Sequence, residues 1–146
     1  MWTARTRVGW TLLLLGAFLV ALTSARYFTL NPVVYFPRQR EVYEAHTLGL
    51  MVHIGGMMFA LLLGPLQFLR SFRHRHPRVH RATGRVYLGG VFVGGLGGLY
   101  MAQYAASGIV SGAGFALLGI GVLISSGMAF ARIRSGRVQS HRTASG

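Results

Sequence analysis

The chain has 146 residues, of which 52% are hydrophobic and 12% charged, and its mean hydropathy is +0.47. A typical soluble domain is about 25% charged, so this composition indicates a chain that lies largely in lipid. The absence of cysteine excludes disulfides, iron–sulfur clusters and thiolate metal sites. The net charge of +13 comes from fifteen arginines and two glutamates. Because the arginines flank apolar segments, we expect no nucleic-acid partner.

The first apolar segment, residues 8–25, follows Arg5 and Arg7. This pattern is typical of a spanning helix or of a secretory signal, for which Thr23 and Ala25 would form a weak cleavage motif. We expect a retained helix, because the apolar segment is long and further spanning segments follow it.

A loop is predicted over residues 26–45, because Pro32 and Pro37 interrupt any continuous helix. Both glutamates of the chain lie here. A short interfacial helix fits residues 38–45. Aromatic side chains suit a membrane–water interface, and the loop supplies five of them: Tyr27, Phe28, Tyr35, Phe36 and Tyr43.

Three further apolar segments cover about residues 46–69, 86–106 and 109–131, and a basic loop, 70–85, joins the first two. About 20 apolar residues cross a hydrocarbon core of about 30 Å. The four segments therefore predict one membrane domain, 1–146, built as an all-α polytopic membrane helix bundle with four transmembrane helices.

The positions of the arginines predict the orientation. With the N-terminus inside, twelve of the fifteen arginines lie on the cytoplasmic side, and Arg26, Arg38 and Arg40 lie outside. Cytoplasmic loops of membrane proteins carry such an excess of arginine. We therefore predict a multi-pass protein of the cell inner (plasma) membrane, N-in and C-in, with the loop 70–85 in the cytoplasm.

Glycines dominate the third segment. Gly90, Gly94 and Gly98 recur every four residues and so share one helix face. Helices in lipid associate through such small residues, so we predict tight helix packing here. The possible partners are Gly55 and Gly56 in the second segment and Gly112, Gly119, Ser126 and Gly127 in the fourth. The alternative is a groove for a flat cofactor or a lipid.

Three polar residues are candidate intramembrane ligands or relays: His46, His53 and Gln67. Ionisable side chains at membrane depth usually face the bundle interior. His53 could serve a proton path, a quinone site or haem b, or it could be a neutral histidine that donates one hydrogen bond across the bundle. His46 and His53 share one helix face, so they cannot sandwich a haem. The second axial ligand of such a haem would come from Met101, from Tyr104, from a second copy of the chain or from a further helix.

The basic loop offers another kind of site. His74, His76 and His80 resemble a metal cluster only loosely, and with arginines between them and no carboxylate we expect no metal site. An anionic lipid headgroup suits guanidinium groups better. Its candidate residues are Arg70, Arg73, Arg75 and Arg78.

A short recurrence gives the remaining candidates on the cytoplasmic face. His80-Arg81, with Arg85 one turn later, follows the second apolar segment, and His141-Arg142 follows the fourth in the same way. The recurrence suggests two parallel helical hairpins, an architecture known in membrane proteins. Chance is the alternative, because the matching strings are short.

Two strings suggest a family. Gly64-Pro65-Leu66-Gln67-Phe68 and His80-Arg81-x-x-Gly84-Arg85-Val86-Tyr87, together with His53-Ile54-x-Gly56 and Arg70, resemble the signature of the bacterial predicted membrane proteins grouped as domain of unknown function 2306. The resemblance covers about residues 43–142. It implies that the chain is truncated or divergent after His141-Arg142, where the family continues into another spanning helix. It implies no particular reaction.

Three functions stay open. The first is a redox-type bundle that contacts haem or quinone through His53, with His80 or His141 as a further contact. The second is a non-catalytic membrane module that binds a partner protein or anionic lipid. The third is a small-molecule or proton transporter that uses His53 and Gln67 and, with four helices, works as a homo-oligomer.

Overall fold

The computed structural model describes the backbone of residues 4–106 and 108–143, and the side chains of 8–69, 71–106, 108–131 and 134. This part of the chain is helical and contains no strand. Short 3-10 turns at Arg26–Thr29, Pro32–Val34 and Pro37–Gln39 connect the first two helices. The α-helices are α1 (Ala4–Ala25), α2 (Arg40–Ala45), α3 (Thr47–Phe68), α4 (Arg70–Arg75), α5 (Pro77–Ala102) and α6 (Ile109–Thr143).

Three segments in the described part are long and apolar enough to cross a membrane. They are Val8–Thr29, Thr47–Phe68 and Ile109–Ala131, which correspond to three of the four predicted spans. The predicted span 86–106 is not among them. It belongs to α5, which is long but rich in glycine, a residue with no apolar side chain, and which begins with an arginine-rich turn.

The segment predicted as the loop 70–85 and the tail predicted after residue 131 are both largely helical. Residues 70–85 form α4 and the first turns of α5, with a break at His76. Pro77 occupies the first turn of α5, where its missing N–H costs nothing and its fixed φ favours the helix. At the other end, α6 continues to Thr143, past the predicted end of its span at 131, because no proline interrupts it.

The helices α3 and α5 pack backbone to backbone through glycines, and we call this contact the glycine seam. Gly56 lies directly against the backbone of Gly94. A Cβ atom at Gly94 would lie 2.7 Å from the backbone nitrogen of Met57, and one at Gly97 would lie 2.7 Å from that of His53. Real Cβ atoms essentially never come so close. The seam therefore requires glycine.

Among the described residues, most of those buried are small, although Tyr35 and Leu50 are buried too, and most large apolar side chains are exposed. Val91 and the two seam residues Gly94 and Gly97 are buried in α5, and Ala17 and Ala21 are the buried residues of α1. The leucines and phenylalanines of α1 and α6 are largely exposed. Apolar burial does not hold helices together in lipid, whereas close approach through small residues does. The arrangement is that of a membrane bundle.

A matched pair of substitutions tests the seam. Gly94→Ala places a methyl group against the backbone of α3, and forcing an atom into a packed contact typically costs about 1–3 kcal/mol. Gly89→Ala lies on the same helix and meets nothing within 4 Å. We expect Gly94→Ala, but not Gly89→Ala, to lower the thermal unfolding midpoint of the detergent-solubilised protein. Equal midpoints for the two variants would contradict the seam.

Candidate functional site

A cavity of about 1000 Å³ opens between α3, α5 and α6 at the arginine-rich end of the bundle. We call it the inner cavity. One part of its wall is polar and the other is apolar. The polar lining consists of Gln67, His80, Arg81, Arg85, Ser126 and Arg134, and the main apolar lining consists of Tyr87, Leu88, Phe92, Ala129 and Phe130. A cavity of this kind suits an amphipathic ligand.

Gln67 is held at the wall of this cavity by α5. Its Nε2 donates to Thr83 Oγ1 at 3.0 Å, and the Thr83 hydroxyl donates to the carbonyl of Val79 at 3.0 Å. Gly84 leaves room for the amide, because a Cβ there would lie 3.0 Å from Gln67 Oε1. The Gly-Pro-Leu-Gln-Phe string on α3 and the His-Arg-x-x-Gly-Arg string on α5 thus build one site.

The inner cavity is electropositive. Arg81, Arg85 and Arg134 line it, and neither of the two glutamates of the chain does. Guanidinium groups form paired, directional hydrogen bonds with phosphate and carboxylate groups. The cavity therefore favours an anionic group at its polar end.

His80 adds a buried polar atom to the same wall. Its Nδ1 is buried and has no hydrogen-bond partner among the described residues. The ring lies edge-on to Phe72, with 6.2 Å between the ring centroids. A buried polar atom without a partner costs free energy, and because this atom has almost no exposed surface, a ligand in the cavity would meet another part of the ring.

His53 lies at the glycine seam. Its Nδ1 is 2.8 Å from the carbonyl oxygen of Gly94, and because a carbonyl can only accept, Nδ1 donates. Gly98 lets the ring lie against α5, since a Cβ there would lie 2.8 Å from Nδ1. The geometry is that of a hydrogen bond across the bundle. The ring also lines a second cavity of about 420 Å³, which we call the outer cavity.

His46 has surroundings of its own. Its Nδ1 shares a hydrogen bond of 2.8 Å with the hydroxyl of Tyr100. Its ring stacks on Tyr104, with 3.7 Å between the ring centroids. His46 does not line the outer cavity that His53 lines. The structure therefore does not bring the two histidines into one site.

The structure places the other predicted residues in several different locations. It brings Gln67 together with His80, Arg81 and Arg85. Arg73, Arg75 and Arg78 are exposed and do not line the inner cavity. The side chains of Arg70, His141 and Arg142 lie outside the described part of the chain. The glycines predicted for helix packing, Gly90, Gly94 and Gly98, lie against α3.

Arg134 is the site residue that the sequence analysis missed. Ending the fourth span at 131 assigned Arg134 to a tail. In α6, Ser126, Phe130 and Arg134 are four residues apart and share one face, and all three line the inner cavity. The available signal was that no proline follows residue 131 to end the helix.

A double-mutant cycle tests the contact between Gln67 and Thr83. Hydrogen bonds between membrane helices contribute on average about 0.6 kcal/mol. We expect Gln67→Leu and Thr83→Val each to destabilise the detergent-solubilised protein, and the double variant to lose less than the sum by about that amount. Strictly additive losses would mean that the two side chains do not interact.

The chain matches the family described as predicted membrane protein (DUF2306) over residues 50–145. The matched region includes both strings that line the inner cavity. No curated protein and no solved structure matches the chain. Since the match covers well over half of its length, the chain belongs to the DUF2306 family of predicted membrane proteins.

Proposed function

We propose that this protein is a four-span protein of the plasma (inner) membrane, with both termini in the cytoplasm, and that its inner cavity binds an anionic lipid. The observation that carries the proposal is the convergence of Arg81, Arg85 and Arg134, without an acidic partner in the lining, at one end of an apolar cavity.

The glycine seam supports α5 as the fourth span. Contacts follow α3 and α5 along most of their length in antiparallel order. They begin at Gly49 with Tyr100, pass through Gly56 with Gly94, and end at Gln67 with Gly84. A helix of 26 residues is about 39 Å long, enough to cross a core of about 30 Å. If α3 crosses the bilayer, α5 crosses beside it.

The distribution of arginines supports the orientation. The arginines of α4, of the first turns of α5 and of the last turns of α6 lie on one side, as does the pair that precedes residue 8. The opposite side carries three arginines and both glutamates. Such a ratio favours a cytoplasmic location for the basic side.

The depth of the inner cavity fits a lipid. On α5, Arg85 and Phe92 both line it and are seven residues apart, which is about 10 Å along the helix. A headgroup at the arginines would then place the first part of its acyl chain against Tyr87, Leu88 and Phe92. Anionic headgroups gain about 1 kcal/mol from each arginine near the membrane surface.

The redox and transport functions centre on His53. His53 lines the outer cavity and not the inner one. The inner cavity therefore does not support a redox or transport function, and both functions stay predictions.

Cysteine labelling tests the orientation, because the chain contains no cysteine of its own. We expect Glu41→Cys to react with a membrane-impermeant maleimide in intact cells, and Ser71→Cys to react only after the cells are opened. Both positions are exposed. Labelling of Ser71→Cys in intact cells would reverse the proposed orientation.

Two triple variants of equal charge test lipid binding. In one, Arg81, Arg85 and Arg134 become glutamine; in the other, the exposed Arg73, Arg75 and Arg78 do. Each protein is placed in phosphatidylcholine nanodiscs and titrated with phosphatidylglycerol. We expect the first triple to reduce binding about tenfold or more, because it removes the charges of the cavity.

The second triple should keep most of the binding. A larger loss in the second triple than in the first would assign the lipid to the surface arginines of the predicted headgroup site. Equal binding by both triples and the wild type would refute the proposed function.

A further inference from the structure

The outer cavity differs in chemistry from the inner one. It lies between α3, α5 and α6, with α2 at one side, and apolar residues line most of it. Its polar side chains are those of Gln39, Tyr43 and His53, and no arginine or glutamate whose side chain the structure describes lines it. A charged ligand would find no partner there, so the cavity suits a neutral one.

His53 lines this cavity, and its ring has a nitrogen left for a ligand. Since Nδ1 carries the proton that it donates to Gly94, Nε2 of the neutral ring is an acceptor. No other described residue is hydrogen-bonded to the ring. Gly98 makes room for the ring, because its missing Cβ leaves the space that the imidazole fills.

Tyr43 and Gln39 supply donors. Burial raises the pKa of the Tyr43 hydroxyl, with a smaller contribution from Tyr27, so the phenol stays protonated. The ring is held edge-on against Tyr27 and Tyr35, with centroid distances of 5.9 and 5.8 Å. The cavity thus has an acceptor on α3 and donors from residues 39 and 43.

The apolar lining suits a ring. Met57, Met101 and Phe115 line the cavity between its polar groups, and methionine sulfur makes favourable contacts with aromatic rings. No described residue lines both cavities, and on α5 the arginines lie at residues 81 and 85, whereas the outer cavity begins at Gly95. The outer cavity is therefore a site separate from the arginines.

We propose that the outer cavity binds a neutral, membrane-soluble diphenol of the quinol class, with a ligand hydroxyl donating to His53 Nε2 and the opposite oxygen facing Tyr43 and Gln39. The ligand needs a hydrogen-bond donor for His53 Nε2. A quinol has hydroxyl groups that can donate, whereas the carbonyl oxygens of a quinone can only accept. It has to be uncharged and to partition into lipid, which excludes the anionic ligands that suit the inner cavity.

The test is binding of decylubiquinol, kept reduced under nitrogen, to the full chain in detergent by calorimetric titration. Oxidised decylubiquinone and the dimethyl ether of the quinol are the comparison ligands. Because a binding site with an unsatisfied acceptor rejects analogues without a donor, we expect both to bind about tenfold more weakly. Equal binding of the three compounds, or no binding of the quinol, would overturn the proposal.

Variants locate the site. We expect His53→Leu to weaken quinol binding about tenfold, and His53→Gln to retain it within about threefold, because an amide can donate to Gly94 and still present an acceptor. Tyr43→Phe leaves the seam intact and should also weaken binding, so it decides the question if His53→Leu does not fold. Unchanged affinity in Tyr43→Phe and in every folded His53 variant would overturn the proposal.

Two controls separate this site from its neighbours. His46→Phe keeps an aromatic ring next to Tyr104 outside the cavity and should leave quinol affinity unchanged. The glutamine triple at Arg81, Arg85 and Arg134 should do the same, so this site and the lipid site can fail independently. A Soret band in the purified protein that disappears in His53→Leu would identify a haem instead and overturn the proposal.

Discussion

The close approach of two helix backbones at the glycine seam underlies the rest of this structure. Lipid offers no hydrophobic force to bring α3 and α5 together, so their association depends on contacts that small residues allow. The seam also sets their register. With Gly56 against Gly94, His53 reaches the carbonyl of Gly94 and Gln67 reaches the helical turn at Thr83.

The other side of α5 is packed in a different way. There, leucine side chains lie against glycines: Leu123 contacts Gly95, and Leu99 contacts Gly119. A leucine side chain holds two backbones further apart than a glycine pair does. At one end, however, α6 meets the backbone of α5, since a Cβ at Gly112 would lie 2.9 Å from the carbonyl oxygen of Ala102. Both cavities lie on this side of α5.

The two cavities share the same three long helices but differ in charge. Arginines reach the inner cavity because they lie at the ends of α5 and α6, where the helices leave the apolar region. The outer cavity is bounded instead by residues near a cluster of tyrosines, with Tyr27 and Tyr35 stacked at 5.6 Å. Charge at one end and neutral hydrogen-bonding groups at the other end give the two sites different ligands.

Composition and hydropathy alone determined that the chain is an all-helical membrane protein, and the Gly-Pro-Leu-Gln-Phe and His-Arg-x-x-Gly-Arg strings were enough to indicate its family. These properties are local, since each depends on residue types and short spacings. Long apolar runs also located the three segments that meet the criterion for spans, whereas glycine lowers the hydropathy of α5.

Only the tertiary structure decided which of the suspected residues share a site. His46 and His53 are seven residues apart on one helix, yet they have different partners, because Tyr100 and Tyr104 engage the first and Gly94 the second. Gln67 and Arg134 are far apart in sequence and line one cavity. Such contacts depend on the register and distance between helices, which follow from the packing of glycine against backbone and of leucine against glycine.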